Sequence, residues 1–138
     1  MFSTIRTAII DKINSASITK IQVAYRTDRS TLDGFPAAVV SPSENEADYA
    51  STANDKRVYA FKIRVYYPLG KESEQDSADI ALEEALDEML AVFGKHDALG
   101  TACEWIYPVP SVWQYEERGD ATYRMAELTL RCVTYQPN

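Results

Sequence analysis

Residues 54–68 read NDKRVYAFKIRVYYP, a turn-forming Asn-Asp followed by a long alternating run. Successive side chains of an extended chain point to opposite faces, so Tyr59, Phe61, Ile63, Val65 and Tyr67 share one side. Ala60, Lys62, Arg64 and Tyr66 share the other. One face suits a hydrophobic core; the other is basic and aromatic. Such a strand belongs in a sheet covered by helices on one side, and the rest of the chain is read around it.

The clearest helix follows, from about Asp76 to Phe93. Ala78, Ala81, Leu82, Ala85, Leu86, Met89, Leu90 and Phe93 recur at helical spacing, and Gly94-Lys95 gives the stop signal. Leu82, Leu86, Met89 and Leu90 are expected to pack on Phe61, Ile63, Val65, Leu128 and Leu130. The outer face carries Asp79, Glu83, Glu84, Asp87 and Glu88. A solvated face is the plain reading of that stripe; the sharper one is a mate for a basic surface.

A first helix is predicted over Ser3–Ser15, capped by Ser3, with Ile5, Ala8, Ile9 and Ile13 on one stripe. Strands are predicted at Ile18–Tyr25, in FPAAVVSP (35–42) closed by Pro42, over Arg57–Tyr67, and over Thr122–Tyr135. The stretch at 103–119, CEWIYPVPSVWQYEERG, reads as two short strands around Pro108-Val109-Pro110 and holds both tryptophans. The last strand repeats the two-faced design. Ala126, Leu128, Leu130 and Cys132 lie on one side; Tyr123, Met125, Glu127, Thr129, Arg131, Val133 and Tyr135 lie on the other.

The expected architecture is α+β: a single antiparallel sheet with two helices packed on one face, in the order α-β-β-β-α-β-β. A length of 138 residues fits one domain spanning 1–138, large enough to fold without staples or a metal. Within it, residues 44–56 are nearly devoid of large aliphatic side chains. Glu44, Asn45, Glu46, Asp48, Tyr49, Asn54, Asp55 and Lys56 are therefore read as an extended hairpin arm, mobile alone and ordered on assembly.

Chemistry leaves few marks. The only histidine, His96, sits beside Asp97 after the second helix, where a helix-ending role is the simpler account. No GxSxG elbow, GxGxxG fingerprint, Walker loop or EF-hand spacing occurs. Cys103 and Cys132 match neither a zinc pattern nor a CxxC pair. No enzyme, no cofactor and no metal site is expected. A net charge of −7 argues against a general nucleic-acid binder, although an acidic surface lets a duplex slide past without sticking. No run approaches the about 20 apolar residues of a membrane span, and nothing at the N-terminus reads as a signal peptide.

What remains is surface. Tyr, Trp and Arg dominate the energetic centres of interfaces, and the chain has nine tyrosines and two tryptophans, largely in its strands. Candidate subunit or partner contacts are Lys62, Arg64, Tyr66, Tyr123, Arg131 and Tyr135 on the sheet side facing away from the helices. Glu83, Glu84, Asp87 and Glu88 on the second helix are their candidate mates in a neighbouring copy.

The element order, GFPAAVVSPSENE (34–46), the polar arm, RVYAFKIRVYYP (57–68) and ALDEMLAVFGK (85–95) resemble the tail-terminator or head–tail joining proteins of long-tailed, siphovirus-like bacteriophages. The resemblance is one of pattern over most of the chain. It implies a virion protein of the tail or neck, made in the host cytoplasm, that forms a ring, usually a hexamer. Its partners would be the tail-tube protein and the head connector, with DNA passing through the lumen without specific binding. The alternatives are a head-closure or tail-tube subunit, and beyond those a cellular binding module or small enzyme.

Overall fold

The alternating run is the middle strand of a five-stranded sheet in the order β1-β2-β3-β5-β4. In chain order the elements are α1 (Phe2–Asn14), β1 (Val23–Tyr25), β2 (Ala37–Tyr49), β3 (Asn54–Leu69), α2 (Gln75–Phe93), β4 (Trp105–Arg118) and β5 (Ala121–Pro137). The structure, a computed structural model, describes residues 2–14, 21, 23–25, 36–49, 54–69, 75–95, 99–100, 102–103, 105–118 and 121–137.

The α+β architecture is as the sequence predicts, with one amendment. β1 runs parallel to β2, pairing Val23 with Ala37 and Tyr25 with Val39, so the sheet is mixed rather than wholly antiparallel. The other pairs are antiparallel. β3 and β5 form the spine, in unbroken register from Asn54↔Pro137 to Leu69↔Thr122.

Both helices cover one face. Ile5, Ile9 and Ile13 of α1 and Leu82, Ala85, Leu86, Met89 and Phe93 of α2 are buried in one cluster. Their floor is Ala38 and Val40 of β2, Tyr59, Phe61, Ile63 and Val65 of β3, and Ala126, Leu128, Leu130 and Cys132 of β5. Leu90, expected in this core, packs against it partly buried. Each large side chain sealed here contributes about 1.5–3 kcal/mol, which makes this cluster the main source of stability. Polar links fix α1 on the sheet. Arg6 of α1 donates from Nε and Nη2 to the Val40 carbonyl at 3.1 and 3.0 Å, and the Ala24 N–H donates to Asn14 Oδ1 at 3.0 Å.

Several boundaries move. α1 begins at Phe2, which puts Ser3 inside the first turn rather than at the cap. Of the predicted first strand, Val23–Tyr25 is observed, and residues 18–20 lie outside the described residues. α2 ends as expected: the Gly94 N–H closes on the Leu90 carbonyl at 2.9 Å, where a Cβ would sit 2.6 Å from that oxygen.

Two prolines do not act as stops. β2 continues beyond Pro42 to Tyr49, with a register irregularity between Pro42 and Asn45. Among the described residues β1 pairs with 37–39 of β2, and a strand accepts a proline where no partner needs its N–H. The backbone of the predicted arm is accordingly part of the sheet, with Asp48 opposite Lys56 and Tyr49 opposite Asp55, and with Lys56 and Asp55 in turn opposite Tyr135 and Gln136 of β5. The side chains of Glu44, Asn45, Glu46, Asp48, Tyr49, Asn54, Asp55 and Lys56, and residues 50–53 at the tip, lie outside what is described. β3 likewise runs through Pro68, which stands opposite Tyr123 of β5.

The Pro108-Val109-Pro110 segment lies inside β4. The two strands predicted around it are the halves of one strand, joined by a bulge between Pro110 and Val112 instead of a turn. Counting those halves separately gives six strands.

Candidate interaction surface

Every odd-numbered residue of β3 from Tyr59 to Val65 faces the helices, so Ala60, Lys62, Arg64 and Tyr66 face away. Register carries this second face across the sheet. Ala60, Lys62 and Arg64 stand beside Arg131, Thr129 and Glu127 of β5, which stand beside Tyr107, Val109 and Val112 of β4. Trp105, opposite Val133, begins the β4 column.

The face divides into two regions. At one end Tyr25, Ala37, Val39, Tyr66, Tyr123 and Met125 form a second buried cluster, with Tyr66 and Tyr123 edge to face at 6.1 Å. Tyr66 and Tyr123 were expected to lie on an amphipathic open face. Instead they are interior residues, because β1 and the start of β2 add Tyr25 and Val39 beside them.

The other end is open. Trp105, Tyr107, Val109 and Val112 are 45, 51, 48 and 37% exposed. Tyr135, on the same side of β5, is also exposed. Arg131 is half-buried beside this column, and Lys62, also half-buried, lies one strand further in. Arg64 donates to the buried carboxylate of Glu127 at 2.9 Å. Its own pKa is raised by that hydrogen bond, against the opposing effect of burial. Thus Arg64 has a partner inside the chain, and much of its charge is answered there.

β4 is the edge of the sheet, and its sequence explains how it remains so. Proline lacks an N–H, so Pro108 and Pro110, opposite Leu130 and Leu128, occupy positions whose backbone turns away from β5. Two donors are therefore missing from the open edge, which blunts it against addition of another strand. Contact with a partner is left to the faces of β4.

The bulge after Pro110 gives those faces different content. Beyond it Trp113 stands opposite Ala126, and Tyr115 opposite Arg124, on the helix side. Arg124 lies over both rings, 5.3 Å from the Trp113 centroid and 4.5 Å from that of Tyr115. It also donates to Asp79 Oδ1 of α2 at 2.8 Å. Between α2 and β4 opens a groove of about 380 Å³ lined by Glu83, Leu86, Asp87, Leu90, Pro110 and Trp113. Of the four predicted carboxylates Glu83 and Asp87 line this groove, whereas Glu84, exposed, and Glu88, half-buried, are not among its lining residues.

Sequence reading placed the acidic wall but missed Trp105, Tyr107, Val109, Val112, Trp113 and Tyr115 as surface residues. Two signals were present: paired prolines marking an edge strand, and aromatics alternating on both sides of them.

His96 lies outside the described residues. Among the described residues no group of three or more His, Cys, Asp or Glu side chains is gathered to hold a metal ion, and no helix is long and apolar enough to cross a membrane. Cys103 and Cys132 are buried free thiols. Compared with known proteins, the chain matches no protein-family model and no curated protein.

Proposed function

We infer that the chain is a structural subunit that assembles into a closed ring, in the manner of the proteins that terminate the tail tube of a long-tailed bacteriophage and join it to the head connector. The observation that carries the assembly reading is the open row Trp105, Tyr107, Val109 and Val112, on an edge strand outside both buried clusters. Contiguous apolar surface of this kind, rimmed by charge, is the mark of a protein–protein contact. The phage reading rests on the resemblance in element order and sequence pattern, and the α-β-β-β-α-β-β order supports it.

In this role the chain needs no active site. Its net charge of −7 suits a lumen through which DNA passes without being held. The tail-tube protein and the head connector are its partners in this reading.

Electron microscopy of negatively stained purified protein tests this reading. Closed rings of uniform diameter are the expected result. Open filaments would reassign the chain to the tail tube, and dispersed monomers would remove the assembly role.

A further inference from the structure

The two sides of β4 carry complementary chemistry. On the side away from the helices, Tyr107 stands open beside Arg131, and Val109 stands open beside Thr129, with Lys62 one strand further in on β3. On the helix side, the groove has an apolar floor of Leu86, Leu90, Pro110 and Trp113 and an acidic rim of Glu83 and Asp87. We propose that the aromatic face of β4 in one copy docks into the α2–β4 groove of the next copy, Tyr107 entering the groove while Lys62 and Arg131 meet Glu83 and Asp87. This rests on the ring-forming reading above and names its interface.

Three observations favour a second copy as the occupant. Charges match in sign: the cations lie at the rim of the apolar row and the carboxylates at the rim of the groove, where they orient an encounter rather than pay for burial. Sizes match as well: the groove is at the lower end of ligand-pocket volumes, suited to one large side chain and its neighbour. The open row offers a few hundred Å² of apolar surface, the scale of the centre of a standard interface. Finally, the prolines of β4 leave strand addition poorly supported, so the contact forms between faces. Donor and acceptor surfaces lie on opposite sides of one strand and differ from each other, so the contact is head-to-tail. A repeated head-to-tail contact closes into a ring when its rotation divides the circle.

The test uses two variants of the full chain. Tyr107→Thr with Val109→Thr removes the docking row while retaining β-branched residues in the strand. Glu83→Lys with Asp87→Lys reverses the groove rim. All four positions are exposed, so each variant is expected to keep the wild-type unfolding midpoint and to assemble roughly tenfold or more weakly. Mixed together, the two variants should form a discrete heterodimer and nothing larger, since only one intact row and one intact groove remain. Glu83→Gln with Asp87→Asn, a gentler change, should weaken assembly by a smaller factor. If wild type forms rings and both variant pairs do so equally well, this interface is wrong and the ring reading stands. A wild-type chain that stays monomeric overturns both.

Discussion

Arg64 Nε donates to Glu127 Oε1 at 2.9 Å across the β3–β5 spine, between residues directly opposite each other in register. The Glu127 side chain is almost wholly buried, at 6% exposure, and the Arg64 side chain is 35% exposed. The pair therefore gives the helix-free face a fixed internal charge contact at its centre. Arg64→Ala leaves a buried acceptor short of its partner and is expected to cost about 1–3 kcal/mol. Arg64→Glu sets two carboxylates together and should cost more. Replacing both residues with Met should recover much of the loss, since an apolar pair strands no charge. Urea unfolding of the four proteins checks this, and equal midpoints for Arg64→Ala and wild type would count against it.

Tyr66 and Tyr115 separate interior from surface. Tyr66 is fully buried against Tyr123 and Met125, whereas Tyr115 is 54% exposed. Tyr66→Ala is expected to cost about 3–5 kcal/mol, as large aromatic truncations in a core do. Tyr115→Ala gives up its contact with Arg124 and should cost about 1 kcal/mol or less. Thermal melts of the two variants measure the contrast, and similar losses would contradict the second cluster.

Arg124 joins three elements: it reaches Asp79 of α2 and lies over Trp113 and Tyr115 of β4. Lysine keeps the charge but lacks the planar fork and the stacking surface. Arg124→Lys is therefore expected to destabilise the chain by about 1 kcal/mol and to shift the emission of Trp113. A spectrum and midpoint unchanged from wild type would show that the stacking contributes nothing.

The thiol of Cys132 titrates well above its ordinary range, held protonated by a hydrogen bond with Cys103 and by burial. The sign follows from the unfolded chain, where the thiol ionises near pH 8.5. Below that pH both states carry the proton and the folded state has its full stability. Above it the unfolded state binds fewer protons, so stability falls as pH rises, by up to about 1.4 kcal/mol per pH unit for this group. Denaturant midpoints of wild type and Cys132→Ala between about pH 8 and about pH 9.5 isolate the effect. Parallel pH dependence in the two proteins would contradict it.

Legibility of the fold followed locality. Period-2 alternation in β3 and β5 and helical spacing in α2 lie within single segments, so both faces of the spine and the core of Phe61, Leu82, Met89 and Leu128 were readable from sequence. The parallel β1–β2 pair, the Arg64–Glu127 contact and the Arg124–Asp79 contact join distant segments, the members of the two ion pairs standing 63 and 45 positions apart in sequence. No local pattern encodes them. Pro108 and Pro110 misled for a physical reason. Proline stops a strand that has neighbours on both sides, but it is tolerated where one side is open, and openness is a property of the assembled sheet. Tyr66 was assigned to the surface because the cluster it joins draws Tyr25 from β1 and Ala37 and Val39 from β2, segments distant in sequence.

The central claim is that this chain is built to assemble, and the mass of the purified wild-type protein in solution tests it most directly. Native mass spectrometry or multi-angle light scattering in the micromolar range should give one closed multiple of the 15.5 kDa chain, unchanged on further concentration. A mass of 15.5 kDa at every concentration would contradict the account.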